Sequence, residues 1–220
     1  SRYIFRTEFN NRLLNIRLSG VFVAEDFKSD LGFVRRTDIL KMNPSFELRF
    51  WPKNKAIQRH SFSVIPISIW RPKLNYENSD YTIITRWEGN FKNNSEIRLA
   101  MFNRFTRLYN DFDPTGSENA IPLPANQNYY YTSFDASFRS DQRKKISYRI
   151  NPSFGEFYNG TKYSLETSLT VRLQPYFLGS IQMNYDKIEL PDPYPDTSIW
   201  LIGPRLDVTF TKNIFWATFL

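Results

Sequence analysis

The chain has 220 residues, no cysteine and a formal net charge of +7 at pH 7, which excludes disulfide bonds, thiolate metal sites and cysteine nucleophiles. Aromatic residues make up 17% of the sequence, yet the mean hydropathy is -0.50, so the chain is rich in rings without being apolar overall. No run of about 18 apolar residues occurs, and this excludes a transmembrane helix.

Alternating apolar and polar positions recur along the whole chain. Residues 163–173 show the pattern most clearly, with Tyr, Leu, Thr, Leu, Val and Leu on one parity and Ser, Glu, Ser, Thr and Arg on the other. Successive side chains of a strand point to opposite faces, so this run has one apolar and one polar face. The pattern predicts twelve strands, over residues 3–9, 13–23, 40–51, 56–70, 81–91, 96–108, 129–138, 146–154, 163–173, 177–186, 198–210 and 214–220.

Tight turns and long loops alternate between these strands. Asn10 and Asn11 predict the first tight turn, because asparagine tolerates the left-handed geometry of short hairpin turns. Residues 24–37, 71–80 and 109–128 are predicted as long polar loops. Bacterial outer-membrane barrels place short turns in the periplasm and long loops outside. The sequence therefore predicts an all-β, antiparallel up-and-down transmembrane β-barrel.

The loop pattern also carries an expectation about the extent of the barrel. It places both ends of residues 1–220 on the outer side, where barrel termini do not normally lie. We therefore expect a single β-barrel domain that is an internal fragment of a longer precursor. The parent barrel is expected to have about 14 or more strands.

Three prolines fall inside predicted strands and test the regularity of the sheet. They are Pro66, Pro152 and Pro204. Proline cannot donate a hydrogen bond to a β-ladder. Each of the three therefore predicts a bulge, a strand end or an edge position.

The barrel prediction assigns two groups of side chains. Unpaired charge in lipid is costly, so the polar parity is expected to face the lumen, either lining an aqueous path or plugging it with a charge network. Amphipathic rings prefer the membrane interface, so aromatic residues near strand ends predict a girdle, with the core of a soluble β-sandwich as the alternative. The lumen-facing set is Arg49, Arg86, Arg98, Arg149, Glu166, Arg172, Arg205 and Asp207, and the girdle is Trp51, Trp70, Trp200, Trp216, Tyr129, Tyr130 and Tyr131.

The sequence contains no recognisable catalytic motif, and neither a metal ion nor a cofactor is expected. His60 is the only histidine, and it is interpreted as a lumen or surface residue. Asp111 and Asp113 begin a segment that faintly resembles a calcium loop, but Pro114 spoils the EF-hand spacing, so a solvated acidic loop is the preferred interpretation. Basic residues are scattered, which argues against a nucleic-acid partner.

One loop carries a family resemblance, on residues Asp26, Phe27, Gly32, Phe33, Val34, Arg35 and Arg36. This segment resembles the "DF…GFVRR" segment of a Bacteroidota family described as carbohydrate-binding family nine domain-containing proteins, and residues 157–162, 188–191 and 211–219 are similar as well. The resemblance implies the C-terminal barrel region, of unknown function, of an outer-membrane protein. The family's glycan-binding N-terminal module is absent here, so no sugar site carries over. The loop is expected to fold into the lumen or to brace the barrel.

Three functions follow from these observations. The first is a non-enzymatic barrel in the bacterial outer membrane that acts as anchor, channel or partner-binding platform, linked to glycan binding or uptake. Its partners would be outer-membrane lipid, other surface proteins and glycans held by the missing module. The alternative is a soluble all-β carbohydrate-binding module with aromatic platforms. A third is a barrel-embedded lipase-type enzyme, for which His60 with Ser61 or Ser63 is the sole candidate pair.

Overall fold

The computed structural model describes residues 1–28, 36–116, 121–211 and 214–219 and shows an all-β protein, as the sequence predicts. The described residues contain no helix with the length and hydrophobicity that crossing a membrane requires. A 3₁₀ turn covers Pro72–Leu74. The strands are β1 (Arg2–Asn10), β2 (Leu14–Val23), β3 (Ile39–Met42), β4 (Ser45–Phe50), β5 (Ile57–Arg71), β6 (Glu77–Phe91), β7 (Glu96–Leu108), β8 (Gln127–Arg139), β9 (Ile146–Phe157), β10 (Gly160–Leu173), β11 (Phe177–Glu189), β12 (Thr197–Thr211) and β13 (Ile214–Phe219).

All thirteen strands form one antiparallel sheet in which neighbours in the chain are neighbours in space. β3 and β4 share one position between β2 and β5, so the sheet has twelve positions. β1 and β13 are its two edges, and no pair between them is found among the described residues. The antiparallel all-β fold is confirmed, while the closed transmembrane barrel stays a prediction.

Proline explains why the strand predicted over residues 40–51 is divided into two. β3 pairs with β5 as far as Ser68 and β4 resumes the pairing at Val64, so Pro44 and Pro66 lie opposite each other between them. Neither residue has an N–H group, so no ladder bond can form at this level. The break is a local consequence of two facing prolines.

The other two prolines also lie within strands, and Pro152 stands where one ladder is incomplete. Pro152 pairs with β10, whereas the ladder between β8 and β9 has no pair at Pro152 and resumes at Ile150. Pro204 pairs with Ile181 of β11, and its level on the β13 side falls outside the described residues. A proline can remain within a strand because its missing N–H group removes a hydrogen bond to only one of the two neighbouring strands.

The two ends of the sheet differ in their connections, although less regularly than the sequence predicts. At the turn end, β1–β2, β4–β5, β6–β7, β8–β9, β10–β11 and β12–β13 are joined by short connections. At the loop end, residues 24–38 and 109–126 are long connections, but residues 158–159 are a two-residue turn. Positive φ at Tyr158 allows this tight turn. β6 begins at Glu77, so most of the predicted 71–80 loop is strand or 3₁₀ turn.

Strand register separates an apolar face from a polar face across the sheet. On the apolar face, Leu165 pairs with Tyr185, and Tyr185 pairs with Trp200. One position further along β10, Glu166 pairs with Asn184 on the opposite face. The apolar side chains are far from buried, since Leu165 is 40% and Trp200 59% exposed. The sheet therefore has no covering layer on this face among the described residues.

Gly155 gives the first testable prediction, because its φ of +149° and its surroundings both require glycine. A Cβ there would lie 2.5 Å from the Ser133 Cα and from the Thr132 carbonyl oxygen. We expect Gly155→Ala to lower the free energy of unfolding by about 1–3 kcal/mol, measured by urea unfolding followed by tryptophan fluorescence. Gly203→Ala is the control, because a Cβ at Gly203 meets no atom within 4 Å. Equal stability of both variants would contradict this explanation.

Candidate functional site

The polar face carries all eight residues that the sequence assigns to the lumen. The register of the strands assigns these residues to one face, because directly paired residues on adjacent strands project to the same side of the sheet. Arg172 pairs with Leu178, and Arg205 pairs with Ser180. Whether this face lines a lumen stays a prediction. The residues are Arg49, Arg86, Arg98, Arg149, Glu166, Arg172, Arg205 and Asp207.

A cavity of about 590 Å³ occupies the middle of the polar face. Its lining comes from six successive strands, β6 to β11, so the sheet curves around this face. The lining is mixed in character, and its charged and amide members include Arg86, Arg98, Asp135, Asn151, Glu166 and Asp186.

A network of shared carboxylates fixes the arginines on one side of this cavity. Glu96 accepts hydrogen bonds from Arg98 at 2.9 Å and from Arg139 at 2.6 Å. Glu88 accepts a hydrogen bond from Arg59 at 3.1 Å and lies 3.5 Å from the Nε of Arg98. Single exposed ion pairs contribute little to stability, but a network restricts each guanidinium to one geometry. These arginines therefore form an ordered wall.

Other arginines of the polar face have no carboxylate partner among the described residues. Arg86 makes no ion pair there, and its Nε is buried without a hydrogen-bond partner. Arg104 donates to the Ser133 hydroxyl at 2.6 Å and lies 4.4 Å above the Phe102 ring. Arg149 stands opposite Arg139 in the β8–β9 register. The face is thus mixed in sign with surplus guanidinium groups, which favours polar and anionic solutes over apolar ones.

An aromatic cluster covers the polar face at the loop end. The Tyr158 ring lies 5.5 Å from Phe112, 5.3 Å from Tyr129, 5.4 Å from Tyr131 and 4.9 Å from Phe157. Tyr129, Tyr131 and Phe157 project from the polar face, so the β7–β8 loop brings Phe112 over that face. Polar residues therefore line the middle of this face, and rings lie over it at the loop end.

The β7–β8 loop is itself anchored around one apolar side chain. Leu123 is fully buried, and it forms an isolated pair of backbone hydrogen bonds with Phe112. At the start of the loop, Arg107 and Tyr109 both bond to Glu77 of β6. The described parts of the loop are therefore packed onto the sheet.

The predicted girdle residues divide between two faces. Trp70, Trp200 and Tyr130 project from the apolar face at the loop end, and Trp216 does so at the turn end. Trp51 follows β4 at the turn end, under the Arg12 guanidinium. Tyr129 and Tyr131 project from the polar face, because neighbours of Tyr130 in a strand must point the other way. These two tyrosines belong to the Tyr158 cluster and not to a band on the apolar face.

His60 belongs to an aromatic group on the apolar face at the turn end. It stacks on Phe50 at 5.1 Å between ring centroids and accepts a long hydrogen bond, 3.5 Å, from the Trp87 indole. Ser61 and Ser63 project from the opposite face, so neither hydroxyl faces the imidazole. The sequence missed Trp87, although its parity with Ile83 marks it as apolar-facing.

The family-like loop motif is only partly described. Arg36 donates to the Asp80 carboxylate of β6 at 2.7 Å, which ties the end of this loop to the sheet. Asp26 and Phe27 lie in the described part of the loop, and the Phe27 N–H bonds to the Ala24 carbonyl. The other motif residues, Gly32, Phe33, Val34 and Arg35, lie outside the described residues.

The acidic loop shows no cation site in its described part. Asp113 accepts hydrogen bonds from the backbone N–H and the hydroxyl of Thr115, so its carboxylate stabilises a turn. Asp111 accepts from the backbone N–H of Ala125 at 2.8 Å. Among the residues the structure describes, no group of three or more histidine or acidic side chains is placed to hold a metal ion.

Comparison with protein-family models, with curated proteins and with solved structures yields no match for this chain. The resemblance to the Bacteroidota family therefore stays a prediction.

Tyr158 supplies a prediction about protonation. Burial raises the pKa of its phenol to about 12, with nearby Tyr131 and Asp80 adding to the effect. The neutral phenol is favoured in the folded state, so its contribution to stability is present below pH about 10 and is lost as the pH rises through about 12. In absorbance titrations at alkaline pH, Tyr158→Phe should remove a component with a midpoint of about 12.

Tyr176→Phe is the matched control for the loss of one phenol, since Tyr176 is 66% exposed in a turn. If the component lost in Tyr158→Phe titrated with a midpoint near 10, the phenol would not be buried in the ring cluster.

Proposed function

We propose that the chain forms the wall of a bacterial outer-membrane β-barrel, with its apolar face in lipid and its polar face around an aqueous path. The observation that carries this proposal is the register, which segregates apolar from charged residues across the sheet. An outer-membrane barrel alternates lipid-facing and lumen-facing residues in this way.

The exposed area of the apolar face supports lipid contact. Large apolar side chains stand open to the surroundings on strand after strand, for example Phe62, Leu99, Phe154, Leu165 and Ile202, each at least 40% exposed. Soluble monomers rarely expose contiguous apolar patches beyond a few hundred Å². Most strands from β5 onward have 12 to 15 residues, enough for the roughly 9–11 that a tilted membrane strand needs.

Rings at both ends of the apolar face support the same placement. Trp70, Trp200 and Tyr130 lie at the loop end, and Trp87 and Trp216 lie at the turn end. Tryptophan and tyrosine prefer the two membrane interfaces, where one part of the ring stays dry and the polar group is hydrated. Two bands on one face are what a membrane-spanning sheet requires.

Lipid contact has a consequence for the sheet edges. Hydrocarbon cannot hydrogen-bond to backbone groups, so the edges at β1 and β13 must be paired within a closed sheet in the membrane. The charged face then encloses water, and the cavity between β6 and β11 is part of the path that a polar solute follows. Links to glycans or to surface proteins depend on the family resemblance alone.

Two adjacent positions on β10 test the lipid-facing assignment. Leu165 lies on the apolar face, and Ser164 lies on the polar face beside Asp186. Leu165→Arg should cost about 2–4 kcal/mol of folding free energy in vesicles, because the charge enters the bilayer near mid-strand. Ser164→Arg should fold normally. The readouts are co-flotation with lipid vesicles and heat-modified gel mobility.

A soluble protein would give a different result in the same experiment. If the unmodified chain stayed monomeric without detergent and failed to float with vesicles, the membrane proposal would be wrong. The soluble carbohydrate-binding module would then be the better description.

The aqueous path has its own test in planar bilayers. The protein should conduct ions, and Glu166→Lys should shift the reversal potential towards anions, because Glu166 lines the cavity. Glu25→Lys makes the same change of net charge in a loop residue whose side chain is 60% exposed, and it should leave the selectivity nearly unchanged. Absence of conductance in the unmodified protein would contradict the path and leave the anchor role.

A further inference from the structure

A second cavity of the polar face differs from the central one in its lining. It has a volume of about 410 Å³ and lies over β1 to β5, so it is named the β1–β5 cavity. Its described lining contains cationic and aliphatic side chains but no acidic one. The cationic members are Arg6, Arg17 and Lys41, and the aliphatic members are Ile4, Val21, Ile65 and Ile67.

Register places both groups on the polar face. Arg86 of that face pairs with Ser63, and Ile67 follows Ser63 by four residues on β5, so the two project to the same side. Lys41 of β3 pairs with Ile69, two residues further along β5. The ladders of β2 with β1, β3 and β4 extend this assignment to the other cationic and aliphatic members. The aliphatic group is therefore an apolar patch on a face that is polar elsewhere.

The floor of the β1–β5 cavity is the place where β3 gives way to β4. Asn43 and Ser45 line it, and Pro44 lies between them. Two hydrogen bonds tie this break to β2: the Ser19 hydroxyl donates to the Asn43 carbonyl at 2.8 Å, and the Asn43 N–H donates to the Ser19 carbonyl at 2.8 Å. The break in the sheet is thus held in one position beneath the cavity.

Positive charge exceeds negative charge around this cavity. Glu8 accepts hydrogen bonds from Arg6 at 2.9 Å and from Arg17 at 3.5 Å, so one carboxylate serves two guanidinium groups. The Nε of Arg17 is buried without a hydrogen-bond partner among the described residues. Lys41 makes no ion pair with any described residue. An anion would therefore find a cation that no carboxylate of the described chain already holds.

We propose that the β1–β5 cavity binds a carboxylate that carries an apolar chain, such as a short fatty-acid anion. The carboxylate bonds to Lys41, with Arg6 and Arg17 adding attraction, and the chain lies against the aliphatic patch. A cavity of this volume is within the range of small-molecule sites, which combine apolar walls with a few polar groups. The inference goes beyond the proposed function, because it requires the polar face alone and does not depend on what covers the apolar face.

Three ligands test the two halves of this site on the unmodified full chain. Hexanoate, butanoate and hexanamide are titrated into the protein in an uncharged detergent by isothermal titration calorimetry, and titrations into detergent alone are subtracted. Hexanoate should bind about fivefold more tightly than butanoate, because two more methylene groups leave water. Hexanamide has the same chain without the charge, and it should bind about tenfold more weakly than hexanoate.

Two variants assign these differences to residues. Lys41→Gln should lower the affinity for hexanoate about tenfold, to the level of hexanamide. Lys53→Gln makes the same change at an exposed lysine between β4 and β5, and it should leave the affinity unchanged. Ile67→Ser should remove the preference for hexanoate over butanoate. Leu178→Ser is its control, since Leu178 lies on the polar face of β11, away from this cavity.

Several results would overturn the site. Equal affinities for hexanoate and hexanamide would show that the cations do not act on the ligand, and equal affinities for hexanoate and butanoate would show the same for the aliphatic patch. Absence of binding, or an equal loss in Lys41→Gln and Lys53→Gln, would also reject it. The ligand series needs no variant, so the site can be rejected even if a variant fails to fold. Each of these failures leaves the membrane proposal standing, because flotation with vesicles does not involve this cavity.

Discussion

Alternation of side chains between the two faces of a strand is the constraint on which the rest of this structure depends. The ladders between β7 and β8 and between β10 and β11 each hold thirteen consecutive pairs, so register is fixed over the full strand length. A slip of one residue in any strand would exchange its two faces and carry its polar-face charges to the apolar side of the sheet. The cavity and the aromatic bands both follow from this one register.

The alternation of apolar and polar residues predicts most strands. It does not predict a strand where the residues of both parities are polar. Residues 163–173 alternate clearly, and β10 covers them. The start of β6, from Glu77 to Asp80, is polar on both parities and reads as a loop. Non-local bonds hold it in the sheet, among them the Asn78 side chain to the Ile69 carbonyl at 3.2 Å. A sequence pattern contains no information about such partners.

In the candidate site, the face on which a residue lies follows from its sequence neighbours, whereas its contacts depend on residues far away in the chain. Membership of the polar face follows from parity, and it could be read for Arg98 and Glu166 from their neighbours alone. The sharing of Glu96 by Arg98 and Arg139 depends on how β7 pairs with β8. The Tyr158 cluster recruits Phe112 from a distant loop. Tyr129 and Tyr131 lie on the polar face and Tyr130 on the apolar face, a division that follows from parity within a run of three tyrosines.

The incomplete ladder beside Pro152 gives the sheet a line of mechanical compliance. β8 and β9 have thirteen and twelve residues, yet they pair at five positions, whereas β9 and β10 pair at twelve. This seam crosses the floor of the cavity between Asp135 and Asn151. Sideways strain on the sheet is therefore taken up between β8 and β9 sooner than at the seams on either side. The cavity therefore widens more readily across this seam than across the seams on either side of it.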